Sequence, residues 1–256
     1  METIKPIVKI GNSAGVILPR EWLHGKARIE LIKKPLDWKK DIFEILGSYL
    51  EDIIGIYLVG SYARGEETAR SDLDVLVISN KTKEKIEKGK YSIIITTKED
   101  MERVLENNAF LILPMLKEAK AFVNSAFIEK YKKTELTKKN LKGYIQLIQS
   151  ALRINKQFIK LENKNGKVGD AVAYSLILNL RNTYILDCLR KNRLWSNKEL
   201  RGMIKEIAGS LGAYDGYVRM KENKPSQEGL PVSEAEKLYN YILKKIEEQW
   251  LKLKKE

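Results

Sequence analysis

Two apolar runs, Ile56–Val59 and Val75–Ile78, give the chain its clearest pattern. Short apolar runs bounded by turn residues predict buried strands. The first run ends at Gly60-Ser61 and the second follows Ser71-Asp72-Leu73-Asp74, so the segment predicts strand, tight turn, short helix and strand. Upstream, Trp38, Ile42, Ile45, Leu46 and Leu50 recur with helical rhythm. Downstream, the charged stretch Asn80–Lys90 separates the second run from a third predicted strand, Tyr91–Thr96. Thr97 is placed to cap a helix running to about Asn107, with Glu99 and Asp100 in its first turn. A short apolar region, Phe110–Leu116, is interrupted by Pro114, and Ala121-Phe122-Val123 predicts a small closing strand.

From about Phe127 the pattern becomes one of long helices. Leu141–Leu161 and Val168–Leu189 are the longest, separated by Asn163–Gly166. Asn197–Ala208 and Ser210–Tyr217 predict shorter helices, Lys221–Pro231 a loop, and Ser233–Leu253 a last amphipathic helix, with Ser233 and Glu236 spaced as a capping box. At the other end, Ile7–Ile10, Val16–Leu18 and Arg28–Ile32 predict strands, with turn chemistry at Gly11-Asn12-Ser13. So short a β unit buries little core, and it predicts pairing with a second copy. The expected fold class is α+β: a β-hairpin module over 1–35, a mixed-sheet domain over 36–125 and a helical bundle over 126–256.

Composition narrows the setting. The 256 residues include 43% hydrophobic ones, as in ordinary globular chains. No apolar run approaches the roughly 20 residues of a membrane span, and the first residues lack a signal-peptide pattern. One cysteine, Cys188, in a helical apolar pattern suits a reducing cytoplasm and a structural role. The single histidine, His24, beside Gly25, excludes a histidine-rich metal site and reads as a surface turn residue. The formal charge of +13 is uneven: +4 over 1–35, −3 over 36–120 and +12 over 121–256. Such a basic half attracts polyanions, or simply keeps a lysine-rich surface solvated.

The candidate chemistry lies between the two apolar runs. Asp72 and Asp74 flank Leu73, so on a strand they share a face, their Cα atoms roughly 6–7 Å apart. Two carboxylates there, beside a Gly-Ser turn, suit Mg²⁺ held against a nucleoside triphosphate whose phosphates rest on the turn. Gly-Ser-Tyr-Ala-Arg-Gly at 60–65, followed by Ser-Asp-Leu-Asp at 71–74, resembles the signature of DNA polymerase β-like nucleotidyltransferases, of the minimal and antibiotic types. The resemblance implies that Asp72 and Asp74 bind metal and act in catalysis. It implies nucleotide contacts from Gly60, Ser61 and Ser71, and from Arg64 unless Arg64 pairs with Glu66 or Glu67. Active members carry a third carboxylate on a neighbouring strand. Tyr91–Thr96 has none, so another segment, such as Asp170, supplies it, or the acceptor needs no strong base, or the domain binds nucleotide without turnover.

Lys-Ile-Gly-Asn-Ser at 9–13, continuing to Pro19 and Glu21-Trp22-Leu23, resembles the AbrB-like swapped-hairpin domain. That resemblance implies a homodimer and makes Lys9, Arg20, Lys26 and Arg28 candidates for nucleic-acid phosphates. The helical half is similar to bundles that accompany minimal nucleotidyltransferases. Within it, Arg181-Asn182 reads as helix surface, while Tyr214, Tyr217 and Arg219 near a loop are weaker acceptor candidates. The expectation is a cytoplasmic, Mg²⁺-dependent transferase moving a nucleoside monophosphate from an NTP to RNA, protein or a small molecule. The alternative is a nucleotide-sensing DNA-binding regulator or antitoxin-like protein with an inactive transferase domain.

Overall fold

The computed structural model describes residues 3–32, 37–69, 71–162, 166–226 and 229–255. The chain divides into two compact units, Met1–Gly47 and Ser48–Glu256. In the first, β1 (Ile7–Ile10) and β2 (Ser13–Val16) form an antiparallel hairpin in which Ile10 pairs with Ser13. Gly11 supplies the positive φ of its turn. Arg28–Ile32 forms no strand, contrary to the sequence expectation. Alternating apolar residues suit a sheet, but a strand exists only where a neighbour takes its backbone groups. Ile4, Ile7, Ile10, Ile17, Leu23, Ile29, Leu31 and Ile32 are all exposed. Lys9, Arg20, Lys26 and Arg28 are exposed too. His24 sits at a turn with positive φ, as a surface residue. The unit ends with α1 (Trp38–Ile45), where Asp37 accepts a hydrogen bond from the Lys40 N–H. The apolar rhythm to Leu50 overshoots this helix: Gly47–Asp52 is a 3₁₀ turn.

The second unit is built on a mixed five-stranded sheet. Its strands are β3 (Ile53–Leu58), β4 (Leu73–Ser79), β5 (Glu84–Lys88), β6 (Tyr91–Thr97) and β7 (Lys120–Val123), in the order β5-β6-β4-β3-β7. β4 and β6 run parallel, and the other neighbours are antiparallel. β3 and β4 are buried along nearly their whole length, as the two apolar runs require. The strand missing from the sequence reading is β5. Its residues Glu84–Lys88 are mostly charged because it is an exposed edge, and charge on an edge deters further pairing.

Helices cover the sheet and then continue as a bundle. α2 (Gly60–Arg64) follows β3. α3 (Lys98–Asn108) starts as predicted, the Thr97 hydroxyl accepting from the Asp100 N–H. α4 (Leu113–Glu118) carries Pro114 in its first turn, where no N–H is missed. α5 (Ser125–Lys132), α6 (Lys138–Glu162) and α7 (Asp170–Arg190) follow. α8 (Asn197–Ala208), α9 (Gly212–Lys221) and α10 (Val232–Lys255) complete the bundle, and β8 (Lys167–Val168) pairs with β9 (Leu230–Pro231). Ser233 therefore lies inside the first turn of α10. α7 is buried on most sides, and Cys188 on it is fully buried, its thiol pushed up by burial. One contiguous core joins Tyr57, Leu76 and Ile78 of the sheet to Ile145, Leu176 and Ile242 of the bundle. Among the described residues, no helix is long and apolar enough to cross a membrane.

Candidate functional site

Residues from both halves of the second unit line one cavity of about 760 Å³. Gly60, Ser61, Arg64, Ser71, Asp72 and Asp74 all line it, so every nucleotide and metal candidate from the sequence meets there. Asp72 precedes β4 and is exposed, while Asp74 is half-buried on the strand. Burial raises the Asp74 pKa, and Asp72 and Glu87 push the same way, against the positive charges of Lys221 and Arg64. The Ser71 hydroxyl accepts from the Thr68 N–H at 2.9 Å, which fixes the approach to Asp72.

Gly60 is held tightly. Its φ is +69°, and a Cβ there would lie 2.2 Å from Asp74 Oδ2. The Val59 N–H donates to the Asp74 carbonyl at 3.0 Å, so turn and carboxylate are fixed as a pair. The Gly60 N–H donates to Glu118 Oε1 at 2.6 Å, and Arg64 donates to Glu118 Oε2. Arg64 Nε also donates to Glu66 Oε2 at 3.0 Å, and the guanidinium lies 5.7 Å from the centre of the Trp195 ring. Arg64 therefore touches the cavity with its charge already engaged by two acids. Burial pushes the Glu118 carboxyl up, and Arg64 opposes the shift. Glu66 reaches across to the bundle, accepting from Ser196 Oγ at 2.6 Å and from the Asn197 N–H. Burial works against the Glu66 charge, yet these donors and Arg64 outweigh it and hold the pKa low.

The bundle lines the cavity with Tyr144, Arg181, Asn182, Trp195, Tyr214, Tyr217 and Lys221. Arg181-Asn182 is thus cavity lining and not plain helix surface. Ile177, Arg181 and Ile185 recur every four residues, so they share one face of α7, and that face lines the cavity. Tyr217 stacks on Tyr174 at 5.2 Å, and Arg201 lies over the Tyr214 ring. Of the described lining cations, Arg64 is paired, whereas Arg181 and Lys221 have no ion-pair partner among the described residues. The Tyr144 hydroxyl and Trp195 Nε1 are buried without a hydrogen-bond partner among the described residues.

Asp170 does not supply a third carboxylate to this cavity. Its side chain accepts from Arg219 Nε at 2.8 Å and Nη2 at 2.7 Å, clamping α7 to α9. Gly216 makes room for that clamp, since a Cβ there would lie 2.9 Å from Asp170 Oδ1. On the neighbouring strand, Ser92 sits in register with Asp74, and Glu87 of β5 in register with Ser92. Among the described residues, no three acids, histidines or cysteines cluster as a metal site. Glu118 and Lys221 escaped the sequence reading because no local pattern marks them: each joins the cavity only through the packing of its helix. β5 had a readable signal, the Gly89-Lys90 turn before an apolar strand.

A family model described as nucleotidyltransferase domain matches residues 39–167, just over half of the chain. The chain belongs to the nucleotidyltransferase domain family. Among solved structures, a nucleotidyltransferase-like protein from Exiguobacterium sibiricum is 13% identical, with a TM-score of 0.36, over 82% of this chain and 73% of that one. Spectinomycin adenyltransferase AAD(9) from Enterococcus faecialis, solved with ATP and spectinomycin, is 12% identical, with a TM-score of 0.44, over 83% of this chain and 100% of that one. No curated protein matches the chain.

Proposed function

We propose that this nucleotidyltransferase moves a nucleoside monophosphate from a Mg²⁺–NTP complex to an acceptor hydroxyl. The observation that carries the proposal is the shared cavity, lined by Asp72 and Asp74 of the sheet and by the facing helices of the bundle. The donor set fits a divalent cation. Mg²⁺ takes one or two carboxylates and completes its shell with water and substrate phosphates, so Asp72 and Asp74 suffice to hold it. The half-buried charge of Asp74, disfavoured by burial and by Asp72, is what a cation would offset. When bound, the ion supplies charge neutralisation at the phosphates.

The chain's own groups do the rest. Gly60 brings the backbone close, and the Ser61 hydroxyl, with no partner among the described residues, is open to a phosphate oxygen. Ser71 holds the Asp72 approach. Lys221 and Arg181 are the countercharges for the triphosphate on the bundle side, since Lys221 acts on Asp74 and Arg181 on Glu118. Arg64 anchors the Gly60 turn to α4 and only adds to the local potential. The acceptor, RNA, protein or small molecule, enters between the bundle helices, and the +12 charge over 121–256 favours a polyanion. Incubation with each α-phosphate-labelled NTP, Mg²⁺ and cell extract should label one class of molecule. Asp72→Ala and Asp74→Ala should each abolish the label, and unchanged labelling by both would overturn the proposal.

The hairpin unit supports a second element of the reading. The exposed large apolar side chains over 4–32 and the resemblance to AbrB-like domains favour pairing with a second copy. Exposed Lys9, Arg20, Lys26 and Arg28 would then face nucleic acid, which keeps a nucleotide-sensing DNA-binding role as the alternative. That role requires duplex binding that weakens steeply with salt and is lost in the Lys9→Ala/Arg28→Ala variant. Binding that ignores both changes would remove it.

A further inference from the structure

Asp74, Ser92 and Glu87 form one row across three adjacent strands. Ser92 pairs in register with Asp74 on one side and with Glu87 on the other. Residues in register on neighbouring strands project to the same face, about 4.8 Å apart. Ser92 lines the cavity, and its hydroxyl donates to Glu87 Oε1 at 3.1 Å. With its proton directed at Glu87, the Ser92 oxygen keeps its lone pairs for the cavity side. Glu87 lies too far from Asp74 to share a metal ligand shell, two strand spacings or roughly 10 Å. It is 57% exposed and paired with Lys85 at 2.9 Å, so a proton reaching it passes readily to solvent.

We propose that Ser92 and Glu87 form a proton relay that takes the place of a third carboxylate, an inference resting on the transfer activity proposed above. The acceptor oxygen attacks the α-phosphorus, and the bond from that phosphorus to the bridging oxygen breaks. Pyrophosphate leaves with the electron pair. The acceptor proton passes to Ser92 Oγ as the Ser92 proton passes to Glu87, which releases it to water. The sum is NTP and acceptor alcohol giving nucleotidylated acceptor, pyrophosphate and one proton. Ser92 is the residue that touches the reacting hydroxyl, and Glu87 acts through it. A row with only a sheet-stabilising role would need the hydrogen bond but no basic oxygen.

Glu87→Gln separates the two roles, because the amide oxygen still accepts from Ser92 but takes no proton. With labelled NTP, Mg²⁺ and extract, E87Q and S92A should each slow transfer roughly 100-fold or more, the lower end of the scale of general-base loss. S92T keeps the hydroxyl and should retain more transfer than S92A. S92D puts a carboxylate beside Asp74, and the S92D/E87Q double variant should recover roughly tenfold over E87Q. Mg²⁺–NTP affinity and melting temperature should stay unchanged in E87Q. Transfer by E87Q at the wild-type rate, or an E87Q loss explained by weaker nucleotide binding or a lower melting temperature, overturns the relay alone. No transfer by the wild-type chain overturns the transferase proposal beneath it.

Discussion

Gly60 and Asp74 are adjacent in space to the point that neither can change freely. A non-glycine residue at a φ of +69° costs about 1–2 kcal/mol, and a Cβ at 2.2 Å would push the Asp74 carboxylate out of place. Gly60→Ala should therefore leave a folded protein with a lower melting temperature and at least tenfold weaker Mg²⁺–NTP binding, read by calorimetry. Wild-type affinity in that variant would mean that the turn does not position the carboxylate. Asp74 itself opposes folding at neutral pH. Its folded pKa is raised by burial and by Asp72, so the folded chain holds that proton more tightly than the unfolded one. Stability then falls as pH rises from the ordinary carboxylate range through the folded pKa, and stays reduced above it. Asp74→Asn should raise the melting temperature at pH 7 while abolishing transfer, with the gain vanishing toward pH 3. A lower melting temperature at pH 7 would contradict this.

At the scale of elements, a few acids hold helices in place around the cavity. Glu118 ties the Gly60 turn and Arg64 to the end of α4, and Asp170 ties α7 to α9. Glu66 is the tie between the α2 region and α8, since it accepts from Ser196 Oγ and the Asn197 N–H at that helix start. Hydrogen bonds to a charged group contribute roughly 1.5–3 kcal/mol each when partly buried. Glu66→Ala should lower stability by ~2 kcal/mol in denaturant and speed protease cleavage around 191–197, with Asp72 and Asp74 intact. An unchanged cleavage pattern would show that the tie is dispensable. These ties escape sequence reading for one reason. Glu66 and Asn197 are 131 positions apart, and no spacing rule reaches that far.

At the scale of the molecule, the hairpin unit exposes Ile4, Ile7, Ile10 and Ile17, and a lone two-stranded hairpin is marginally stable. The intact chain should sediment as a dimer at micromolar concentration, and Ile7→Lys/Ile10→Lys should make it monomeric. A monomeric wild-type chain would remove the pairing. The basic charge concentrates in 121–256, the region whose helices line one side of the cavity.

The strands and helices of the second unit were largely legible, because Ile56–Val59, Val75–Ile78 and the helical stripes are local patterns set by burial and backbone period. So was the pairing of Gly60-Ser61 with Asp72 and Asp74, since a strand–turn–helix–strand closes over few residues. The absence of a strand over 28–32, the Glu118 partner of Arg64 and the Arg219 partner of Asp170 were settled by tertiary structure alone. So was the place of Arg181, Lys221 and Ser92 at the cavity. Sequence encodes what a residue prefers over a few neighbours. Which charges meet, and which of them stay unpaired beside Asp74, depends on how distant helices pack against the sheet.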